Sequence, residues 1–172
     1  MEDAPRDGAP GWIEESAEGL TIYIARSKTD QTGEGDAIGI PYGLSPETCP
    51  VRAYKNWLQR SGIIAGPSFR PITRHGRMGN NAMTDRTVAR VVKRAIIRAA
   101  LADGLAPQEA TALAAKFGGH SLRAGLATSA AMNEAPGHAI QRQLRHTRFD
   151  TTTRYIRAGQ LFKQNAAGMA GL

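Results

Sequence analysis

Short runs of β-branched and aromatic residues near the N-terminus have the composition of strands. Trp12–Glu15 and Leu20–Ala25 are two such runs, and Glu18-Gly19 between them suits a tight turn. A third run, Ala37–Ile40, follows a polar and charged stretch. The pattern predicts a small three-stranded antiparallel sheet with a charged hairpin at its tip.

Apolar residues recur with helical spacing after this sheet. Pro50 suits the first position of a helix that Gly62 ends, and Thr84 or Asp85 suits the cap of the next helix. The apolar face predicted for that next helix consists of Val88, Val91, Val92, Ala95 and Ile96. Further helices are predicted from Pro107 towards Lys116, over His120–Met132 and over Gly137–Leu144. Thr151-Thr152-Thr153 is expected to cap a last pair of helical turns that carries Tyr155, and a C-terminal helix is predicted over Ala158–Ala167.

These elements predict a fold that is mainly α with a small three-stranded antiparallel β-sheet, an α+β architecture. The chain has 172 residues, of which 41% are hydrophobic and 22% charged, as in a globular domain. We expect residues 1–10 to be disordered, because they are acidic and rich in Pro and Gly, and residues 11–172 to form one domain. The single cysteine, Cys49, excludes a disulfide within the chain and a zinc site built on cysteines.

The charge of the chain indicates a polyanionic partner. Lys and Arg number 22 against 15 for Asp and Glu, a net charge of +7, and most of the Arg lies between Arg52 and Lys163. Nucleic acid is the commonest partner of a protein with such a basic stretch. The chain contains no apolar run long enough to cross a membrane.

Four sequence features carry candidate chemistry. His120 and Arg123 lie three positions apart on a predicted helix and therefore share a face. His146 follows that helix, Tyr155 comes nine residues later, and Lys28 lies at the tip of the hairpin that follows a predicted strand. Each residue alone is more often a surface or core residue than a functional one, so the joint spacing carries the argument.

This spacing resembles the signature of the tyrosine recombinase, or phage integrase, family. Ser27-Lys28-Thr29-Asp30 resembles the family's β-hairpin lysine, and the stretch from His146 to Tyr155 resembles its third motif and nucleophile. The similarity runs from about Gly11 to the end of the chain. It implies a recombinase catalytic domain that acts on double-stranded DNA without a cofactor or metal and assembles as a homo-oligomer on paired DNA sites. A bacterial or phage-derived protein of the cytoplasm, associated with the nucleoid, is the expected setting.

The chemistry of phosphodiester cleavage suits these residue types. The guanidinium of Arg123 matches two phosphate oxygens, and His120 and His146 can donate hydrogen bonds to them. The hydroxyl of Tyr155 can form a covalent phosphotyrosine, and Lys28 can protonate the departing 5′ oxygen. Other basic residues are expected to contact DNA phosphates: Arg70, Arg74, Arg77, Arg86, Arg90, Lys93, Arg94, Arg145, Arg148 and Arg154.

The resemblance also implies a second active-site arginine on a helix before the first strand, and an N-terminal DNA-clamping domain. Arg6 lies among Pro and Gly residues, so it does not suit that role, and we expect the chain to be a fragment or a degenerate copy. Two alternatives to a recombinase therefore stay open. One is a non-catalytic DNA-binding remnant, and the other is an enzyme like the type IB topoisomerases.

Overall fold

The computed structural model describes residues 10–25, residues 35–159 and residue 170, with side chains up to residue 156 of the last helix. The chain divides into two compact units, Met1–Phe69 and Arg70–Leu172. The first unit contains the strands β1 (Gly11–Glu15), β2 (Gly19–Ile24) and β3 (Asp36–Pro41) and the helix α1 (Pro50–Ser61). Within its described residues, the second contains the helices α2 (Asp85–Ala102), α3 (Pro107–Ala115), α4 (Gly119–Met132), α5 (Gly137–Leu144) and α6 (Phe149–Gly159).

The three strands form an antiparallel sheet in the order β1-β2-β3, as the sequence predicts. Trp12 pairs with Tyr23, and their rings stack with centroids 4.6 Å apart. Gly19, the first residue of β2, has a φ of 149°, and a Cβ there would lie 2.1 Å from the carbonyl oxygen of Ile40. Only glycine allows β2 and β3 to approach this closely. The charged hairpin, residues 26–34, lies outside the described residues.

Helix α1 covers the sheet of the first unit through a small core. Leu20, Cys49 and Val51 are buried, and half-buried Ile13 and Ile40 pack against them. The predicted helix bounds are confirmed: the helix begins at Pro50, and Gly62 ends it in the left-handed conformation with a φ of 64°. The α+β fold class is therefore confirmed, whereas the extent of the domain, residues 11–172, stays a prediction.

Helix α2 packs against α3 with a face rotated from the predicted one. Thr84 caps the helix by accepting the backbone N–H of Thr87 at 3.3 Å. Val92 and Ala100 are buried, but Val91 and Ala95, two of the predicted apolar positions, are exposed. The prediction is wrong at these two positions because α3 packs against a neighbouring face of α2, so part of the apolar stripe is left uncovered. Ala89, Ile97 and Ala100 complete the packed face instead.

Helices α4, α5 and α6 pack around a second small core. Ala127 and Ala131 of α4 and Ile140 and Leu144 of α5 are buried, and Tyr155 and Ile156 of α6 pack against them. Alanine at the two α4 positions lets the helix axes approach closely. The threonines at residues 151–153 do not cap α6, since the helix already begins at Phe149 and they occupy its first turns. The predicted helix Ala158–Ala167 lies for the most part outside the described residues.

Candidate active site

The start of α4 sets the position of Arg123. Gly118 is extended and precedes the helix, and its backbone N–H donates to the hydroxyl of Ser121 at 3.0 Å. This hydrogen bond satisfies one of the backbone donors that a helix N-terminus leaves without an intrahelical partner. Because the helix begins at Gly119, His120 lies in its first turn and Arg123 one turn further along the same face.

Arg123 binds the end of α5. Its side chain is half-buried, and its Nη2 donates a hydrogen bond to the backbone carbonyl oxygen of Leu144, the last residue of that helix. The carbonyls at a helix C-terminus lack intrahelical partners and carry partial negative charge, so a guanidinium is a favourable partner there. The contact fixes the arginine against the turn that leads to His146.

His146 is held by the turn that follows α5. Arg145 takes a left-handed conformation with a φ of 52°, which reverses the chain after Leu144. The backbone N–H of His146 then donates to the carbonyl oxygen of Gln141 at 3.1 Å. The side-chain amide of Gln141 donates to the carbonyl oxygen of His146 at 3.0 Å. Both backbone groups of His146 are therefore fixed by one residue of α5.

The imidazole of His146 lies against α6. Its Nδ1 is 2.9 Å from the hydroxyl of Thr152, a side chain with no exposed surface. Its ring lies parallel to the ring of Tyr155, with an interplanar angle of 18° and centroids 6.0 Å apart. Partial burial lowers the pKa of His146, and the positive charge of Arg123 lowers it further. The ring is therefore mostly neutral at pH 7.

Tyr155 lies on the face of α6 that meets α4 and α5. The side chain is half-buried and packs against the core of Ala127, Ala131, Ile140 and Leu144. Gly137 at the start of α5 allows this close approach, because a Cβ there would lie 2.9 Å from both Ile156 Cδ1 and Phe149 Cζ. The structure thus brings together a guanidinium from α4, an imidazole from the turn after α5 and a phenol from α6.

The structure says less about the other two candidate catalytic residues, His120 and Lys28. His120 is exposed, and its association with Arg123 comes from their spacing on α4. Lys28 lies within residues 26–34, outside the described residues. Their roles in the site stay predictions.

The basic residues of α2 form an exposed row. Arg86, Arg90 and Arg94 recur every four residues and are exposed, whereas Lys93 is half-buried on the packed side. Arg98 continues the row and is also exposed, and the same spacing in the sequence could have identified it. A row of guanidinium groups along one helix is suited to contact successive phosphates.

The remaining predicted DNA-binding residues have varied surroundings. Arg70 and Arg145 are half-buried, while Arg74 is exposed and donates through Nε to Nε2 of His75 at 2.9 Å. Arg148 is exposed and pairs with Asp150 at 3.2 Å. Arg77 and Arg154 are also exposed. Exposed ion pairs of this kind are weak, so Arg148 can exchange Asp150 for a phosphate at small cost.

The described residues show neither a metal cluster nor a membrane-spanning helix. No group of three or more His, Cys, Asp or Glu side chains among them is arranged to hold a metal ion. None of the helices in the described part of the chain has the length and apolar character needed to cross a bilayer.

Comparison with known proteins identifies the family. Residues 20–160 match the model of the phage integrase family, a range that includes Lys28, His120, Arg123, His146 and Tyr155. The chain belongs to the phage integrase family of tyrosine recombinases. An integrase/recombinase xerD homolog of Selenomonas ruminantium is 43% identical to it over 149 residues, which cover 87% of this chain and 40% of that relative. The aligned integrase-family chain therefore spans less than half the length of this curated relative.

The lowered pKa of His146 predicts a pH dependence of stability. A histidine whose pKa is lower in the folded than in the unfolded state favours folding when neutral, so its contribution is lost as the pH falls below the unfolded pKa of about 6.5. We expect acidification from pH 7.5 to pH 5 to destabilise the wild-type integrase-family chain more than the His146→Gln variant. The midpoint of urea unfolding at the two pH values measures this. An equal shift of the urea midpoint in both proteins would contradict the lowered pKa of His146. His138→Gln, which replaces an exposed histidine, serves as the control.

Proposed function

We propose that this chain supplies the catalytic part of a site-specific DNA recombinase that breaks and rejoins strands through Tyr155. The observation that carries the proposal is the pairing of the Tyr155 and His146 rings, 6.0 Å apart, next to the guanidinium of Arg123. A phenol can act as the nucleophile of phosphoryl transfer, and an imidazole and a fixed positive charge can stabilise the charge that develops on the phosphate. The name of the Selenomonas ruminantium relative, an integrase/recombinase, agrees with this reading.

In the proposed reaction the phenol oxygen of Tyr155 attacks the phosphorus of a DNA phosphodiester. A bond forms between that oxygen and phosphorus, and the bond from phosphorus to the 5′ oxygen breaks, which leaves a 3′-phosphotyrosine. Arg123 and His146 stabilise the charge on the nonbridging oxygens. His120 accepts the proton of the phenol, and Lys28 donates a proton to the 5′ oxygen. Since the new ester to tyrosine retains the energy of the broken one, attack by a 5′ hydroxyl on the phosphotyrosine can join a strand and release Tyr155 without an external energy source.

The proposed partner is double-stranded DNA, held by the exposed row Arg86, Arg90, Arg94 and Arg98 and by the basic residues near the site. Recombination joins two duplexes, so we also propose that copies of the protein assemble on paired DNA sites. The source of the relative, Selenomonas ruminantium, favours a bacterial protein, and action on DNA would place it at the nucleoid.

Covalent trapping tests the proposed nucleophile. The chain, fused to the N-terminal part of the Selenomonas ruminantium relative, is incubated with a random-sequence pool of nicked duplexes. A nick beside the cleaved bond releases a short fragment and prevents rejoining, so the protein stays attached to DNA after denaturation with detergent. Tyr155→Phe should reduce this adduct on the order of 1000-fold or more, because it removes the attacking oxygen. Gel mobility and sequencing of the attached DNA measure the effect.

Tyr42→Phe is the matched control, since it removes a phenol outside the proposed site and keeps the ring over which Arg52 lies at 5.8 Å. An adduct that persists in Tyr155→Phe, or no adduct in any context, would defeat the proposal. Salt-dependent DNA binding without an adduct would favour the non-catalytic DNA-binding module. Relaxation of supercoiled DNA without joining of two duplexes would favour an enzyme like the type IB topoisomerases.

The exposed row on α2 predicts the salt dependence of DNA binding. Arg90→Ala combined with Arg94→Ala should lower the slope of log affinity against log salt concentration by about 2, because each phosphate contact contributes about 0.9. Fluorescence anisotropy with a random-sequence duplex at several salt concentrations measures the slope. Val91→Ala changes an exposed residue of the same helix without removing charge, and we expect it to keep the wild-type slope. If the double variant keeps that slope too, the row does not contact DNA.

A further inference from the structure

Thr152 combines complete burial with a polar contact to the candidate site. It lies near the start of α6, its side chain has no exposed surface, and its Oγ1 is 2.9 Å from Nδ1 of His146. A hydroxyl carries one hydrogen, and a buried hydroxyl loses free energy unless that hydrogen finds an acceptor. An acceptor for the hydroxyl hydrogen of Thr152 is therefore expected within hydrogen-bond distance of its Oγ1.

The neighbouring residue shows what a threonine in a helix ordinarily does. Thr153 donates its hydroxyl hydrogen to the backbone carbonyl oxygen of Phe149, four residues earlier, at 3.1 Å. The hydroxyl of Thr152 instead meets a side chain outside the helix, and among the described residues Nδ1 of His146 is its hydrogen-bond partner. Nδ1 is thus the atom placed to accept the hydrogen of Thr152.

We infer that Thr152 is a positioning residue whose hydroxyl donates to Nδ1 of His146 and keeps the ring proton on Nε2. A neutral imidazole carries one proton, so an Nδ1 that accepts a hydrogen bond leaves Nε2 as the donor. The inference rests on the proposed function in one respect: that Nε2–H then donates to a nonbridging phosphate oxygen. The opposite tautomer would present a lone pair to the phosphate and repel it.

The surroundings of His146 make this choice of tautomer consequential. Partial burial and the charge of Arg123 keep the ring neutral near pH 7, so a second proton does not supply the donor. Gln141 forms hydrogen bonds with both backbone groups of His146. The ring of Tyr155 lies parallel to the imidazole and limits its rotation. Thr152 and Tyr155 lie three residues apart on α6, so one helix positions both the nucleophile and the imidazole.

Nitrogen NMR of the imidazole side chains in the full 172-residue chain tests the inference without DNA. Histidine labelled with ¹⁵N reports which ring nitrogen carries the proton and whether the other accepts a hydrogen bond, and loss of one signal set in His146→Gln assigns His146. We expect the proton on Nε2 and an Nδ1 resonance shifted upfield by a hydrogen bond. In Thr152→Val, which keeps the shape and removes the hydroxyl, the Nδ1 resonance should move downfield. Thr152→Ser should restore it, and Thr153→Val should leave it unchanged.

A proton on Nδ1 in the wild-type chain, or an Nδ1 resonance that does not move in Thr152→Val, would overturn the inference. Unchanged signals of the other three histidines verify that the variant is folded. In the covalent trapping assay we expect Thr152→Val to slow adduct formation about 10- to 100-fold, and Thr152→Ser to recover most of the rate. If the wild-type chain forms no adduct while the NMR result holds, the proposed recombination fails and the positioning of His146 by Thr152 stands.

Discussion

The hydrogen bond from Arg123 to the carbonyl oxygen of Leu144 is the contact on which the candidate site depends. It joins the first half of α4 to the C-terminus of α5, at the point where Arg145 turns the chain towards His146. Without it, the guanidinium would be one more solvated arginine on a helix, and the C-terminus of α5 would lose the positive charge that complements its partial negative charge. The alanines of α4 support this contact, since their small side chains let α5 and α6 pack close to the helix that carries Arg123.

The electrostatics of the second unit follow from this arrangement. Partial burial and, to a smaller extent, the charge of Arg123 lower the pKa of His146, so the imidazole remains neutral and the fixed positive charge resides on the guanidinium. Such a site offers a phosphate one permanent cation and one neutral hydrogen-bond donor. Both groups are already in place, so they need to move little as negative charge develops on the phosphate oxygens. The arginine row on α2 supplies further positive charge on the same unit, which suits a partner that carries one charge per phosphate.

Much of this architecture could be predicted from the sequence, because it depends on local signals. Helix ends are marked by residues whose own conformational preferences or side-chain hydrogen bonds favour them, here Pro50, Gly62, Thr84 and Pro107. Helical geometry alone places His120 and Arg123 on one face. The role of Thr152 could not be predicted, because it depends on a helix that begins at Phe149 rather than after the threonines. The same limit applies to Val91, whose exposure depends on where α3 packs, and to the contact between Arg123 and Leu144, which joins residues distant in the sequence.

A crystal structure of the chain with orthovanadate, which mimics the pentacoordinate phosphorus of the transition state, tests most directly whether Arg123, His146 and Tyr155 form one phosphate site. We expect vanadium bonded to the phenol oxygen of Tyr155, with the guanidinium of Arg123 and Nε2 of His146 donating to its oxygens. An ion bound elsewhere, or a phenol oxygen that points away from both groups while the ion occupies the site, would contradict it.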